Sequence, residues 1–154
     1  MSEVRDSGVL RSDPLVSFAF RLDLNGTPTG FFTEVSGLGS ETEVSERLFD
    51  DGNGHQVILK VPGREKWEDI SLKRGITKDM ELWDWREIVM QGDVKGARRN
   101  GTITMMDSKG TPVAQWNFTN AWPSKVTGPS LKIDSNDLGI EEITIVHEGI
   151  RRIK

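Results

Sequence analysis

Apolar and polar side chains alternate along most of the chain, which is the pattern of a β-strand with one buried face. The clearest case is residues 15–24, where every second side chain is apolar: Val16, Phe18, Phe20, Leu22 and Leu24. Asn25-Gly26 and Pro28 then predict a turn, because glycine accepts a positive φ and proline fixes its own. Further extended runs are predicted at residues 31–35, 70–72, 131–133 and 139–147. The pattern therefore predicts a mainly β (α+β) fold.

Two hairpins are predicted from turn-forming residues between strands. Residues 40–48 alternate weakly and are polar on both faces, residues 50–54 (Asp-Asp-Gly-Asn-Gly) have the composition of a loop tip, and residues 55–61 resume as a strand. The apolar face of this second strand is Val57, Leu59 and Val61. A second hairpin joins residues 102–106 to residues 113–119. The first hairpin has too little to bury within its own subunit, so its unpaired edges are candidate templates for a neighbouring chain.

One substantial helix is predicted at residues 78–90. Thr77 is the expected N-cap, and Leu82, Trp85 and Val89 recur at the spacing of one helix face. Gly92 is expected to end the helix. No repeat or linker divides the chain, so we predict a single domain over residues 1–154 with an N-terminal arm at residues 1–14.

Composition excludes several classes of function. The chain has 154 residues, no cysteine, two histidines and a formal net charge of -4. Without cysteine there is no disulfide framework, thiolate zinc site or thiol nucleophile. An acidic balance disfavours clamping of nucleic acid, which needs a basic face. No stretch approaches the roughly 18 apolar residues of a membrane span, and residues 1–14 lack the apolar core of a signal sequence. We therefore expect folding in the cytosol without stable membrane insertion.

Motifs for chemistry are incomplete. The acidic run at residues 50–54 resembles part of a calcium loop but lacks the glutamate at position twelve and the flanking helices. No phosphate-binding loop, dinucleotide fingerprint or nucleophile elbow is present. The paired carboxylates Glu41 with Glu43, and Glu141 with Glu142, are expected on solvated strand faces. Trp85 and Trp116 are expected in the core. For Trp67 and Trp122 the sequence does not decide between packing in the core and a role in an interface. We predict no catalytic, cofactor-binding or metal-binding residue.

Six segments in collinear order resemble the phage tail tube protein family. They are residues 31–38 (FFTEVSGL), 61–63 (VPG), 72–77 (LKRGIT), 82–85 (LWDW), 116–125 (WNFTNAWPSK) and 147–149 (HEG). The resemblance extends from about residue 14 to residue 150. This family forms the inner tube of contractile phage tails and of extracellular contractile injection systems.

The resemblance implies a β-barrel or sandwich subunit with a flanking helix, assembling into hexameric rings that stack into a hollow tube and catalyse no reaction. The hairpin at residues 40–61 corresponds to an element that reaches neighbouring subunits. Its expected interface residues are Glu41, Glu43, Arg47, Asp50, Asp51, His55 and Lys60. The expected sheath-facing residues on and near the helix are Lys78, Glu81 and Glu87. Negative charge facing the bore would repel an anionic cargo.

The implied partners are further copies of the chain, a sheath protein, baseplate or spike proteins, a tube terminator, and a tape-measure or cargo protein in the lumen. Assembly is expected in the bacterial cytoplasm, as part of a virion or of a particle released from the cell. A monomeric β-barrel that binds a ligand, and a small hydrolase, are the alternative interpretations. The sequence leaves open whether the system is a phage or an injection system, and whether the chain is the main tube protein or a baseplate-proximal relative.

Overall fold

The computed structural model describes residues 18–129 and 139–154. The N-terminal arm, Val16 and the strand predicted at residues 131–133 lie outside them. The described elements, in chain order, are β1 (Ala19–Leu24), β2 (Thr27–Phe32), β3 (Glu34–Ser36), β4 (Ser40–Asp50), β5 (Gln56–Trp67), β6 (Ile70–Gly75), α1 (Glu81–Met90), α2 (Val94–Ala97), β7 (Arg99–Met106), β8 (Pro112–Thr127), β9 (Ile140–Val146) and β10 (Ile150–Arg152). The mainly β prediction is confirmed.

Eight strands form one antiparallel sheet that curls around the core. The strand order is β2-β1-β7-β8-β9-β6-β3, with β10 also paired to β8. β2 and β3 stand at opposite ends of this order, yet only Thr33 separates them in the chain. The Thr33 N–H donates to the Lys73 carbonyl oxygen of β6 at 2.9 Å. The chain itself therefore joins the two ends of the sheet, in the manner of a small barrel.

The core lies inside this curved sheet and is closed by α1. Its largest fully buried side chains include Leu22, Phe32, Ile103, Phe118 and Ile143 from the sheet, with Leu82 and Trp85 from α1. Trp85 is in the core as predicted, and its indole N–H donates to the Ala97 carbonyl oxygen at 2.6 Å. Trp116 and Trp122 are partly buried against the core. The expectation that Phe18 faces the interior is wrong: its side chain is 38% exposed, and it lies just before the first residue of β1.

The helix begins three residues later than predicted. Thr77 is not its N-cap, because the Thr77 hydroxyl oxygen accepts from the Asp79 N–H at 3.1 Å and forms a turn instead. Asp79 in turn accepts from the Glu81 N–H at 3.0 Å, and α1 starts there. At the other end the prediction is confirmed. Gly92 adopts a φ of 91° and its N–H donates to the Val89 carbonyl oxygen, so the helix stops.

Strand β8 is more than twice as long as the predicted strand at residues 113–119. Its first part pairs with β7 as far as Ala121, and its last part, from Trp122, pairs with β9. Asn120 has a φ of 49° where the strand changes partner. Pro123 is accommodated within the strand because it lies at a register irregularity, and its carbonyl oxygen accepts from Arg86 of α1 at 3.2 Å.

Candidate assembly surfaces

Strands β4 and β5 form a separate two-stranded sheet that projects from the barrel. Their antiparallel register runs from Ser40 opposite Trp67 to Asp50 opposite Gln56. The structure therefore contains the predicted hairpin, which continues to residue 67 instead of ending at residue 61. It makes no ladder with the main sheet in the described residues. Two strands without a partner sheet are at best marginally stable in water, so this element needs other support.

Both faces of the hairpin carry exposed apolar side chains. Since cross-strand partners share a face, the register assigns Val44, Leu48 and Ile58 to one face, which we call the first face. It assigns Phe49, Val57 and Leu59 to the other, the second face. These six side chains are between 38% and 66% exposed. The expectation that the strand at residues 40–48 is polar on both faces is therefore wrong for the first face, which carries Val44 and Leu48. The apolar side chain of β4 on the second face, Phe49, lies just beyond this range.

The predicted interface residues lie on the same hairpin as these apolar side chains. Glu41, Arg47, Asp50, Asp51, His55 and Lys60 are exposed, and Glu43 is half-buried. Glu43 pairs with Lys66 across the strands at 2.9 Å. Through this hydrogen bond and its negative charge, Glu43 raises the pKa of Lys66 above its ordinary value. The apolar residues of β4 were missed as site residues, although the pairing of Leu48 with Ile58 and of Phe49 with Val57 can be read from the sequence once the turn is fixed.

The hairpin tip is held together by its own carboxylates. Asp51 Oδ1 accepts from the backbone N–H of Asn53 at 2.8 Å and of His55 at 3.3 Å. Asp50 accepts from the Gly52 N–H at 3.0 Å. His55 belongs to this loop and not to the following strand, which begins at Gln56. Among the described residues, no group of three or more acidic, histidine or cysteine side chains is arranged to hold a metal ion.

The base of the hairpin is fixed to the barrel through His147. The His147 ring lies 6.2 Å from the Trp67 ring, centre to centre, and its Nε2 is 2.9 Å from the Glu68 carbonyl oxygen. The Gly149 N–H donates to His147 Nδ1 at 3.2 Å, so Nε2 carries the proton and donates to Glu68. Trp67, which the sequence left open, is thus partly buried at the junction of hairpin and barrel.

A buried ion pair connects the barrel wall to the helix. Arg74 of β6 and Glu141 of β9 are 2.8 Å apart, and their side chains are 6% and 1% exposed. The Trp83 indole N–H of α1 donates to the second oxygen of Glu141. The expectation that Glu141 lies on a solvated face is therefore wrong, because it occupies the inward side of β9 together with Ile143 and Ile145. Its neighbour Glu142 faces outward and accepts from the Ser71 hydroxyl at 2.8 Å.

The outer face of α1 is acidic. Its exposed ionisable side chains are Glu81, Asp84 and Glu87, while Arg86 turns back to the Pro123 carbonyl oxygen. Lys78, the third predicted sheath-facing residue, is also exposed but lies in the turn before the helix. No helix in the described part of the chain is long and apolar enough to cross a membrane.

Similarity to known proteins agrees with this architecture. The family model described as "T4-like virus tail tube protein gp19" matches residues 16–151. No curated protein matches the chain. A chain of the PVC sheath-tube complex, from an extracellular contractile injection system in its extended state, is 27% identical, with 95% of each chain covered and a TM-score of 0.71.

Two further structures extend the similarity. A chain of the PVC sheath/tube terminator in the extended state is 26% identical, with 88% of this chain and 93% of that chain covered and a TM-score of 0.64. Hcp1 from Flavobacterium johnsoniae is 16% identical over 87% of this chain and 94% of its own, and its TM-score of 0.52 shows a shared fold. The predicted role as a structural inner tube protein is confirmed. The chain belongs to the T4-like virus tail tube protein gp19 family.

Proposed function

We propose that six copies of this structural inner tube protein close into a ring, and that the rings stack into a hollow, rigid tube driven through a target envelope when a sheath contracts. The observation that carries the ring and stack is the hairpin β4–β5, which exposes apolar side chains on both faces and pairs with no further strand among the described residues. The tube conducts cargo and catalyses no reaction. Its assembly takes place in the bacterial cytoplasm, before the particle is released.

The two apolar faces favour insertion of the hairpin between two other copies of the chain. A hairpin that lay flat on one neighbour would leave either the first or the second face in water. Burying a large aliphatic or aromatic side chain contributes about 1.5 to 3 kcal/mol when the burial is complete. A stacked ring offers two surfaces at once, one from the adjacent subunit of the same ring and one from the next ring.

The charged residues around the apolar faces are proposed to set register and not to supply most of the affinity. Arg47 lies opposite Leu59 on the second face, and Lys60 lies on the first face. Asp50, Asp51 and His55 are at the tip, and Glu41 and Glu43 are nearer the base. Charges in such positions suppress wrong pairings and steer association, but each exposed pair stabilises by only about 0 to 1 kcal/mol. Glu46 and Lys60 are already opposite each other within the hairpin.

The proposed partners follow from the assemblies to which the relatives belong, which include a sheath-tube complex and a sheath/tube terminator. We place the sheath on the outer face of α1. Baseplate or spike proteins and a terminator are proposed at the two ends of the tube, and a tape-measure or cargo protein inside it.

Reversing the charge of the helix face tests the sheath contact. The double variant Glu81→Lys with Glu87→Lys is expected to form tubes normally but to bind less sheath protein, because the acidic face would no longer attract a basic partner surface. Lys78→Glu is the matched control, since it adds negative charge to the same surface and is expected to retain binding. Cosedimentation of sheath with preformed tubes at low and high salt measures the effect. Equal sheath binding by all three proteins would contradict the assignment.

The ring itself is tested by electron microscopy of the purified protein together with its mass by light scattering. Hexameric rings, or stacked tubes with an open bore, are the expected result. A protein that remains monomeric at high concentration, even when preformed tube ends are supplied as seeds, would contradict the proposal.

A further inference from the structure

Three Asn-Gly steps occur in the described residues: Asn25-Gly26, Asn53-Gly54 and Asn100-Gly101. In such a step the glycine nitrogen can attack the carbonyl carbon of the asparagine side chain, because glycine has no Cβ to obstruct the approach and its backbone is permissive. The attack requires that the asparagine side chain and the glycine N–H both be free to move. The three steps differ sharply in this respect.

In the steps Asn25-Gly26 and Asn100-Gly101, the asparagine side chain is restrained by hydrogen bonds within the barrel. Asn25 Oδ1 accepts from the Asn100 N–H at 3.2 Å, and the Asn25 N–H donates to the Asn100 carbonyl oxygen at 2.8 Å. Asn100 Oδ1 accepts from the Asn120 N–H at 3.0 Å. Gly101 is buried in β7, where an added Cβ would lie 2.3 Å from the Phe118 ring. Neither asparagine side chain can reorient without breaking these contacts.

Asn53 lies in the exposed hairpin tip, where every backbone N–H from Asp51 to His55 except that of Gly54 donates a hydrogen bond. The N–H groups of Asp51, Gly52, Asn53 and His55 all donate within the tip. The Gly54 N–H forms no hydrogen bond in the described part of the chain, and neither does the Asn53 side chain. Gly54 has a φ of 80°, and no heavy atom lies within 4 Å of its ideal Cβ position. The nucleophile and the electrophile of this step are therefore both unrestrained.

We propose that Asn53 is a site of spontaneous deamidation, with water as the co-reactant. The Gly54 nitrogen gives up its proton to a solvent base and forms a bond to Asn53 Cγ. The Cγ–Nδ2 bond breaks, and Nδ2 takes a proton and leaves as ammonia, which produces a succinimide. Water then opens the ring at either carbonyl carbon, giving aspartate or isoaspartate. The net reaction consumes one water and releases one ammonia, with no oxidation or reduction.

The product changes both the charge and the backbone of the tip. A new carboxylate appears beside Asp50 and Asp51. The isoaspartate product also routes the main chain through the former side chain, which lengthens it by one methylene and disturbs the hydrogen bonds around Asp51. This inference concerns the free subunit and does not depend on the proposed function.

Peptide mass mapping of the free subunit, incubated at mildly alkaline pH, tests the proposal. Conversion at Asn53 is expected to be about tenfold faster than at Asn25 or Asn100, because releasing each held group costs about one net hydrogen bond. In denaturing urea the three rates should become similar, since the local sequence is Asn-Gly in each case. The Asn53→Gln variant is the control, because its longer side chain does not form the five-membered ring. Equal rates in the folded subunit, or a difference that persists in urea, would overturn the proposal.

Discussion

Replacing Glu141 by alanine is expected to lower the free energy of unfolding of the subunit by about 3 to 5 kcal/mol, because the buried guanidinium of Arg74 then has no counter-charge. The two side chains are 2.8 Å apart and almost inaccessible to solvent. The same substitution removes the acceptor of the Trp83 indole N–H, so the contact between α1 and β9 is lost as well. Urea unfolding of the unassembled subunit, followed by tryptophan fluorescence, measures the change.

Glu142 provides the matched control because it is the next residue of the same strand. It faces outward, is only half-buried and accepts one hydrogen bond from Ser71. Glu142→Ala is therefore expected to cost only about 0.5 to 1.5 kcal/mol. The double variant Arg74→Met with Glu141→Leu is expected to recover most of the stability lost in Glu141→Ala, since it removes both charges and the desolvation cost of each. Equal losses for Glu141→Ala and Glu142→Ala would contradict the buried-pair interpretation.

The alternation of apolar and polar side chains predicted those strands that keep the same neighbouring strands along their whole length. Leu22 and Leu24 of β1 are buried as the pattern requires. β8 could not be predicted to its full length, because Phe118 and Ala121 both face the core although they are three residues apart. The positive φ of Asn120 interrupts the alternation of inward and outward side chains between them. The first part of β8 pairs with β7 and the last part with β9, which comes later in the chain.

The hairpin and the buried Arg74–Glu141 pair differ in how much of each could be predicted from the sequence. The existence of the hairpin follows from its tip composition, and six of its seven expected charged residues are exposed, Glu43 being half-buried. Its apolar faces were missed because Val44 and Leu48 belong to one face of β4 and Phe49 to the other, so the three together follow no single period. Glu141 was misplaced for a related reason. A carboxylate in a strand suggests a solvated face, and its cation, Arg74, lies 67 residues away in the sequence.

Replacing Leu48 and Ile58 by serine is expected to abolish tube formation while leaving the subunit folded. Both side chains lie opposite each other on the first face, and more than half of each is exposed in the subunit. Exposed substitutions of this kind change the free energy of unfolding by only about 0.5 kcal/mol or less. In the proposed assembly, however, both side chains are covered, so the variant loses the burial of two large apolar groups at every copy. Light scattering gives the mass of the assembly, and urea unfolding verifies the fold.

The second face separates the two contacts that the hairpin is proposed to make. Phe49→Ser with Leu59→Ser is the equivalent change there, and Met90→Ser on α1, which is exposed to a similar degree, is the control that should assemble normally. If one face contacts the same ring and the other the next ring, one double variant should stop at monomers and the other at single rings. Normal tubes from either double variant would show that its face is not an interface. A hairpin apolar on both faces needs two covering surfaces, so an outcome in which only one face matters would require a different site for the hairpin than the space between stacked rings.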